Sequence, residues 1–330
     1  MPIPDKLLAQ VKQLIPPLTG KLHKGQAGRV AVVGGAEEYS GAPFFAAMSA
    51  LRVGVDLSHV LCSPTAAPSI KTYSPDLIVH PIFSQNANED EVKQELDALL
   101  GRLHVLIIGP GLGRSDSMQN YASTALSLAR KREMYVVLDA DGLFMVQQRP
   151  DVVRGYTRAV LTPNVVEYGR LCEALNLDKS AKCTDLSAAL DGVTVLQKGE
   201  SDVVAHGRGD QKEEAQVDVP GGLKRCGGQG DILSGAVGAF LAWGKNAESG
   251  AFGDPSNPTH PAHDPARLPF LGSIGGSLLT RTASRMAFAE HGRAVVTQDM
   301  LAYIGRAFEE AFGDRTREEY VAQNGLQGKL

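Results

Sequence analysis

The sequence is poor in several features that would have fixed a function class at once. Only four cysteines occur (Cys62, Cys172, Cys183 and Cys226), far apart, with no CxxC and no Cys/His pair at zinc spacing. That usage excludes a disulfide scaffold and fits free thiols in a reducing compartment. Positive charge is not in excess either. The formal net charge is −4, so no basic field exists to hold nucleic acid or an anionic membrane, and any anionic ligand needs a local site. Aromatics make up only 6% of residues, with one Trp. The longest apolar runs, such as Val30–Val33 and Val105–Ile108, fall far short of the ~20 residues that cross a bilayer. The N-terminal MPIPDKLLAQVKQLIPP has neither the apolar core nor the cleavage site of a signal peptide, and Asp5 with no Arg argues against a transit peptide. A cytoplasmic protein is expected, with a mitochondrial pool as the alternative. What remains is ordinary globular composition, 43% hydrophobic and 21% charged over 330 residues.

Apolar residues at helical spacing (Leu7, Leu8, Val11, Leu14, Ile15) predict a lid or flanking helix that Pro16-Pro17 ends. Strand-length apolar runs follow at Arg29–Val33, His59–Cys62, Leu77–His80, His104–Ile108, Tyr135–Leu138, Ala159–Leu161, Val193–Leu196 and Val203–His206. Helical patterns separate them near Gly41–Gly54, Asp90–Arg102, Ser115–Arg130 and Val165–Ala174. Near-continuous apolar strands joined by helices predict an α/β fold, a mainly parallel sheet covered on both faces. Ligands bind outside the carboxyl ends of such strands. Here those ends carry Gly34-Gly35, Gly109-Pro-Gly-Leu-Gly113, Asp139-Ala-Asp141, Thr162-Pro-Asn164 and Lys198-Gly199. A single domain over 1–330 is expected, with a Pro-rich insertion at 245–270 that also carries His260 and His263. Helices at Gly276–His291 and Asp299–Phe312 close the chain, with Thr297 as N-cap of the second and a fraying tail after Asp314.

The strongest local signal is Gly221-Gly-Leu-Lys-Arg-Cys-Gly-Gly-Gln-Gly-Asp231 running into the apolar stripe Ile232, Leu233, Ala236, Val237, Phe240 and Leu241. Glycines at 227, 228 and 230 leave backbone amides open at a helix N-terminus, where the dipole attracts phosphate. Asp231 reads either as the base that deprotonates a hydroxyl attacking a γ-phosphate, or as a helix cap. No Walker P-loop occurs, and Gly109–Gly113 misses the Rossmann spacing. Asn164 and Glu167 face one side of a first helical turn, where they either orient Mg²⁺-bound water around phosphates or merely start the helix. Lys198–Asp202 reads as a hairpin whose tip covers an adenine or ribose, or as plain surface. Asp139 and Asp141 offer polarity toward substrate or metal, or a turn.

As an ordered set these phrases are recognisable. Lys24-Gly25 with Gly28, Gly34-Gly35, Tyr39-Ser-Gly-Ala-Pro43, Gly109-Pro-Gly-Leu-Gly-Arg114, Asp139-Ala-Asp-Gly-Leu143, Leu161-Thr-Pro-Asn164 and Gly227-Gly-Gln-Gly-Asp231 resemble the ATP-dependent NAD(P)H-hydrate dehydratases of eukaryotes, within the ribokinase-like superfamily. The resemblance covers roughly residues 20–243 and the closing helices. It implies a three-layer α/β/α sandwich and a repair reaction, in which ATP drives removal of the ring hydroxyl from the S-epimer of hydrated NADH or NADPH. It implies Asp231 as catalytic base. It implies substrate contacts from Gly113, Asn164, Val165, Val166, Glu167, Tyr168, Gly169, Arg170 and Asp231. ATP would be held by Lys198, Gly199, Glu200, Ser201 and Asp202, and by Gly221, Gly222, Leu223, Lys224, Arg225, Cys226, Gly227, Gly228, Gln229 and Gly230. Mg²⁺ would accompany the ATP, with Glu167 its contact through water. An NAD(P)H-hydrate epimerase is the functional partner that the family implies, and a homo-oligomer is compatible with the sequence. Ala36 departs from the pattern, standing where relatives often have a small polar residue. The alternative reading is a kinase of the same fold acting on a thiazole- or pyridoxal-type alcohol. A nucleotide sensor does not need Asp231, and a nicotinamide oxidoreductase lacks its fingerprint.

Overall fold

The structure is a computed structural model that describes residues 3–18, 23–250 and 264–313. Nine strands form one sheet: β1 (Arg29–Val33), β2 (Leu57–Leu61), β3 (Ile78–His80), β4 (Val105–Ile108), β5 (Tyr135–Leu138), β6 (Ala159–Leu161), β7 (Thr194–Gln197), β8 (Asp202–Arg208) and β9 (Gln211–Val217). Their order is β3-β2-β1-β4-β5-β6-β7-β8-β9. The first seven are parallel, and β8 and β9 extend the edge as an antiparallel ribbon. Chain direction across the sheet reverses between β1 and β4, the switch point at which a crevice opens.

The helices are α1 (Asp5–Lys12), α2 (Gly41–Val53), α3 (Ala67–Tyr73), α4 (Glu89–Leu100), α5 (Asp116–Lys131), α6 (Asp141–Gln148), α7 (Val165–Ala174), α8 (Cys183–Ala189), α9 (Gln229–Glu248), α10 (Leu268–His291) and α11 (Thr297–Phe312). Strand alternation sorts the core into two layers. Val30, Val32, Val105 and Ile107 face α2, α9, α10 and α11, whereas Ala31, Val33, Leu106 and Ile108 face α4, α5 and α6. The three-layer α/β/α sandwich expected from the sequence is present, and α1 is a flanking helix with Val11 and Leu14 buried against the first layer.

Helix α9 is buried on nearly every side because its small residues let neighbours approach. A Cβ on Gly235 would lie 2.0 Å from Ser49 Oγ and 2.1 Å from the Ala46 carbonyl oxygen. The Ser49 hydroxyl there bonds to the Ile232 carbonyl at 3.2 Å. Gly235→Val should therefore lower stability by about 3 kcal/mol through forced separation of α2 and α9, read as a drop in the urea midpoint.

Several boundaries differ from the sequence reading. The expected Pro-rich segment 245–270 gives its first four residues to α9 and its last three to α10, where Pro269 sits in the first turn and breaks no hydrogen bond. His260, His263 and Pro255, Pro258 and Pro261 lie outside the described residues, as does the tail after Asp314. Thr297 is not the N-cap of α11. Val296 holds that place, its amide donating to Asp299 Oδ2 at 2.8 Å, while the Thr297 hydroxyl donates to the Gly227 carbonyl at 2.5 Å. Strand β9 (QKEEAQV) carries only two buried side chains, Ala215 and Val217, so it had no apolar run to reveal it.

At the opposite end of the sheet, Arg29 Nη2 donates to His104 Nε2 at 2.9 Å, which requires a neutral imidazole. Burial first, then the Arg29 charge, lower the His104 pKa from 6.5 to about 4, and His59 is lowered likewise. The unfolded chain takes up these protons near pH 6.5, so the contribution to stability is complete above that pH and declines as pH falls toward about 4. The melting temperature should fall over this window, and fall less steeply in His104→Gln, which keeps an acceptor that does not titrate.

Candidate active site

Four ionisable side chains meet where β5, β7, α7 and α9 converge at the carboxyl edge of the sheet. Asp139 follows β5, and Lys198 follows β7, its amide tied to the Pro163 carbonyl at 2.8 Å. Lys198 Nζ donates to Asp139 Oδ1 at 2.8 Å and stands 3.9 Å from Glu167 Oε2. Burial works against the ammonium, but Asp139 and Glu167 outweigh it and hold the Lys198 proton more tightly than usual. Asp231 completes the group from the first turn of α9. It is 9% exposed and accepts no side-chain hydrogen bond from any described residue. Burial, reinforced by the Asp139 charge and only partly opposed by Lys198, raises its pKa well above the carboxylate range. A buried carboxylate with high proton affinity beside a cation is the environment of a base rather than of a solvated surface group. The capping alternative fails, since Asp231 lies inside the helix and bonds to no terminal amide.

The backbone around it is built for an anion. Gly228 is the N-cap of α9 at φ +96°, a conformation glycine adopts without a Cβ penalty, and no side chain caps the helix. The first intrahelical bond is Ile232 N to the Gly228 carbonyl, at 3.1 Å. The preceding amides of Gln229, Gly230 and Asp231 are therefore open, at the positive end of a helix 20 residues long. The loop before them is braced by side chains. Gln229 Nε2 donates to the Lys224 carbonyl at 3.2 Å, and Thr297 holds the Gly227 carbonyl. Across the crevice, Gly109 has φ +125°, and a Cβ there would fall 1.8 Å from the Asp139 carbonyl oxygen. The glycine loop after β4 and the acidic end of β5 consequently pack backbone to backbone. Gly113 donates its amide to Asp141 Oδ2 at 3.0 Å, and Arg114 Nε pairs with Asp141 Oδ1 at 3.0 Å.

The other candidate residues divide by what their side chains are free to do. Asn164 Oδ1 accepts from the Val166 and Glu167 amides, both at 2.9 Å, and Glu167 Oε2 accepts from the Asn164 amide at 2.8 Å. The pair is a capping box. It starts α7 and leaves one Glu167 oxygen available. Burial first raises the Glu167 pKa, with Lys198 opposing, so this carboxylate is short of counter-charge. That suits a cation arriving with nucleotide phosphates. Among the described residues no three His, Cys, Asp or Glu side chains cluster to bind a metal by themselves. Val165 and Val166 are exposed and Arg170 opens to solvent, whereas Tyr168 is buried with its hydroxyl on the Ala181 carbonyl at 2.8 Å, so its ring is core and not site surface. Asp202 is likewise buried. It accepts from the Gly199 amide at 3.0 Å, from Ser277 Oγ at 2.7 Å and from Arg281 Nη1 at 3.1 Å. Arg281 also binds the Val219 and Glu200 carbonyls, locking the 198–202 turn onto α10. Nothing in the local sequence marked Arg281, which lies 79 residues from Asp202. The predicted loop 221–230 lies beside this turn, joined through Arg225 Nη2 on the Gly199 carbonyl at 3.4 Å.

A sequence profile described as NAD(P)H-hydrate dehydratase matches residues 30–306. The ATP-dependent (S)-NAD(P)H-hydrate dehydratase of Mycosarcoma maydis is 46% identical over 323 residues, covering 94% of this chain and 89% of that protein. The enzyme of the same name from Bos taurus is 44% identical, covering 93% of this chain and 90% of its own. Among solved structures, the Bacillus subtilis ADP/ATP-dependent NAD(P)H-hydrate dehydratase co-crystallised with ATP/Mg²⁺ superposes with a TM-score of 0.65 at 18% identity, covering 94% of this chain and 99% of that one, which bears on the fold alone. With its profile match and close relatives aligned over nearly the whole chain, this protein belongs to the NAD(P)H-hydrate dehydratase family.

Proposed function

We propose that this chain uses ATP to dehydrate the S-epimer of hydrated NADH or NADPH, returning NAD(P)H with ADP and phosphate. The observation that carries the reading is Asp231, a buried carboxylate of raised proton affinity, unbonded among the described residues, at the open N-terminus of α9. Hydroxide is a poor leaving group and phosphate a good one. Asp231 takes the proton of the ring hydroxyl, whose oxygen attacks the γ-phosphorus as the bond to ADP breaks. The open amides of Gln229 and Gly230 stabilise charge on the transferring phosphoryl group. The ring nitrogen then expels phosphate with the C–O electron pair, and loss of a ring proton restores the dihydronicotinamide. Mg²⁺, when bound, neutralises phosphate charge, and Glu167 is the side chain that would hold it.

In this reading the dinucleotide lies along Gly113 and the 164–170 stretch. ATP lies under the 198–202 turn and the 221–230 loop. Asp202 serves by rigidity, not contact. An enzyme specific for one epimer leaves the other behind, so an epimerase is the implied functional partner. The four free cysteines suit a reducing compartment such as the cytoplasm. Incubation of purified protein with MgATP and the S-hydrate should yield NADH, ADP and inorganic phosphate in equal amounts. A stable phosphorylated product would move the assignment to a small-molecule kinase.

A further inference from the structure

On the face of the sheet that carries the second core layer, α4 packs against α5, and a cleft of about 320 Å³ remains between its carboxyl end and the outer strands β2 and β3. Strand alternation and register build one wall. Leu57, His59 and Leu61 alternate onto this face, and Ile78 and His80 stand beside His59 and Leu61. Arg29 at the start of β1 closes one end, and Leu99, Arg102 and Leu103 form the opposite wall. Five of these nine side chains are Leu or Ile, so most of the surface is apolar, and Ile78 is 39% exposed to it and to solvent. Asp139, Glu167, Lys198 and Asp231 are not among the lining residues, so the cleft is separate from the reaction centre.

The four polar side chains of the cleft are all donors of one sign. Arg102 is exposed and makes no hydrogen bond or ion pair among the described residues. Arg29 donates only to the neutral His104, and its Nε is buried with no partner. No carboxylate lines the cleft, and Glu95, whose charge reaches His80, stands outside it. The rings of His59 and His80 lie near-parallel, with Nδ1 of the first 3.0 Å from Nε2 of the second. Burial first, then the charges of His80, Arg102 and Arg29, lower the His59 pKa to about 4, so the pair is neutral near pH 7. One of its two ring protons makes the mutual bond, and either tautomer leaves the other N–H to offer. The end of α4 opposes an anion little, because the carbonyls of Asp97, Leu99 and Leu100 are taken by the amides of Gly101, Arg102 and Leu103. We propose that this cleft is a second ligand site, for a small organic acid whose carboxylate meets Arg102 and Arg29 and whose hydrocarbon body covers the leucine walls. Guanidiniums without a carboxylate partner call for an anion, and apolar walls around a volume of this size favour one that carries a body over a bare ion.

Octanoate is the probe, titrated by calorimetry into the full chain with MgATP saturating, so that the nucleotide site is already filled. One octanoate should bind per chain, and affinity should fall about threefold for each methylene removed toward butanoate. Octanol and inorganic phosphate, each with half of the required chemistry, should bind at least about tenfold more weakly. Arg102→Gln should weaken octanoate binding by about tenfold, and Arg102→Glu should abolish it. Since Arg102 is exposed and without a partner, both variants should melt as the wild type does and keep its turnover. In NMR spectra the ring signals of His59 and His80 should move along the same binding curve, while those of the exposed His291 stay in place. None of these readouts requires dehydration, so the proposal and the dehydratase reading fail separately. Absence of saturable octanoate binding, equal binding of octanol, or binding that both Arg102 variants leave unchanged overturns the proposal.

Discussion

Asp231→Asn should lower turnover of the S-hydrate by on the order of 10³- to 10⁴-fold while leaving MgATP affinity within about twofold. The asymmetry follows from what the residue touches. The α9 amides and the braced 221–230 loop present donors to phosphate without help from the Asp231 side chain. Among the described residues the carboxylate itself accepts no hydrogen bond whose loss would loosen the fold, and an amide of the same shape, neutral in a buried position, costs less to keep there than the charge it replaces. Steady-state kinetics together with calorimetric ATP binding check this. Near-wild-type turnover would show that the attacking hydroxyl loses its proton elsewhere, and loss of ATP binding would make Asp231 part of the nucleotide site.

Lys198→Met and Asp139→Asn should move the acid limb of the pH–rate profile in opposite directions. A base works deprotonated, so activity rises with pH through the pKa of Asp231. Lys198 opposes the rise of that pKa, and Asp139 contributes to it after burial. Removing the ammonium leaves Asp139, Glu167 and Asp231 as three carboxylates without their shared cation. The limb then moves to higher pH, turnover at neutral pH falls by on the order of 10²-fold, and the orphaned buried Asp139 costs about 3 kcal/mol of stability. Removing the Asp139 charge moves the limb to lower pH. A merely structural cluster would change stability in both variants and leave the limb where it was.

The sequence exposed those parts of the molecule whose physical signal is local. Seven parallel strands announced themselves as apolar runs, five of them (β1 and β4 to β7) because they are buried on both faces. The edge strand β9, solvated and charged, did not. The Gly-rich entry to α9 was legible because open amides require small residues, and Asn164–Glu167 because a capping box has fixed spacing. Two readings of that box stood open, and the structure commits the Asn164 oxygen to the helix. Contacts made by folding stayed hidden. Lys198 reaches Asp139 across 59 residues, and Arg281 reaches Asp202 across 79. No spacing rule links such pairs. Asp202 therefore stood among ATP contacts on resemblance alone, although its lone pairs are committed to Gly199, Ser277 and Arg281. The Thr297 assignment failed for a related reason, since a hydroxyl next to a helix start has a second use when a loop carbonyl, here Gly227, comes within reach.

The most direct measurement follows the oxygen that leaves. Hydrated NADH carrying oxygen-18 in its ring hydroxyl is converted with MgATP in ordinary water, and the released phosphate is analysed by mass. Phosphorylation of the hydroxyl by the Asp231 site, followed by expulsion of phosphate, predicts one heavy oxygen in every phosphate formed. Unlabelled phosphate, with the heavy oxygen in water, would contradict the account, because ATP would then be hydrolysed without ever activating the leaving group.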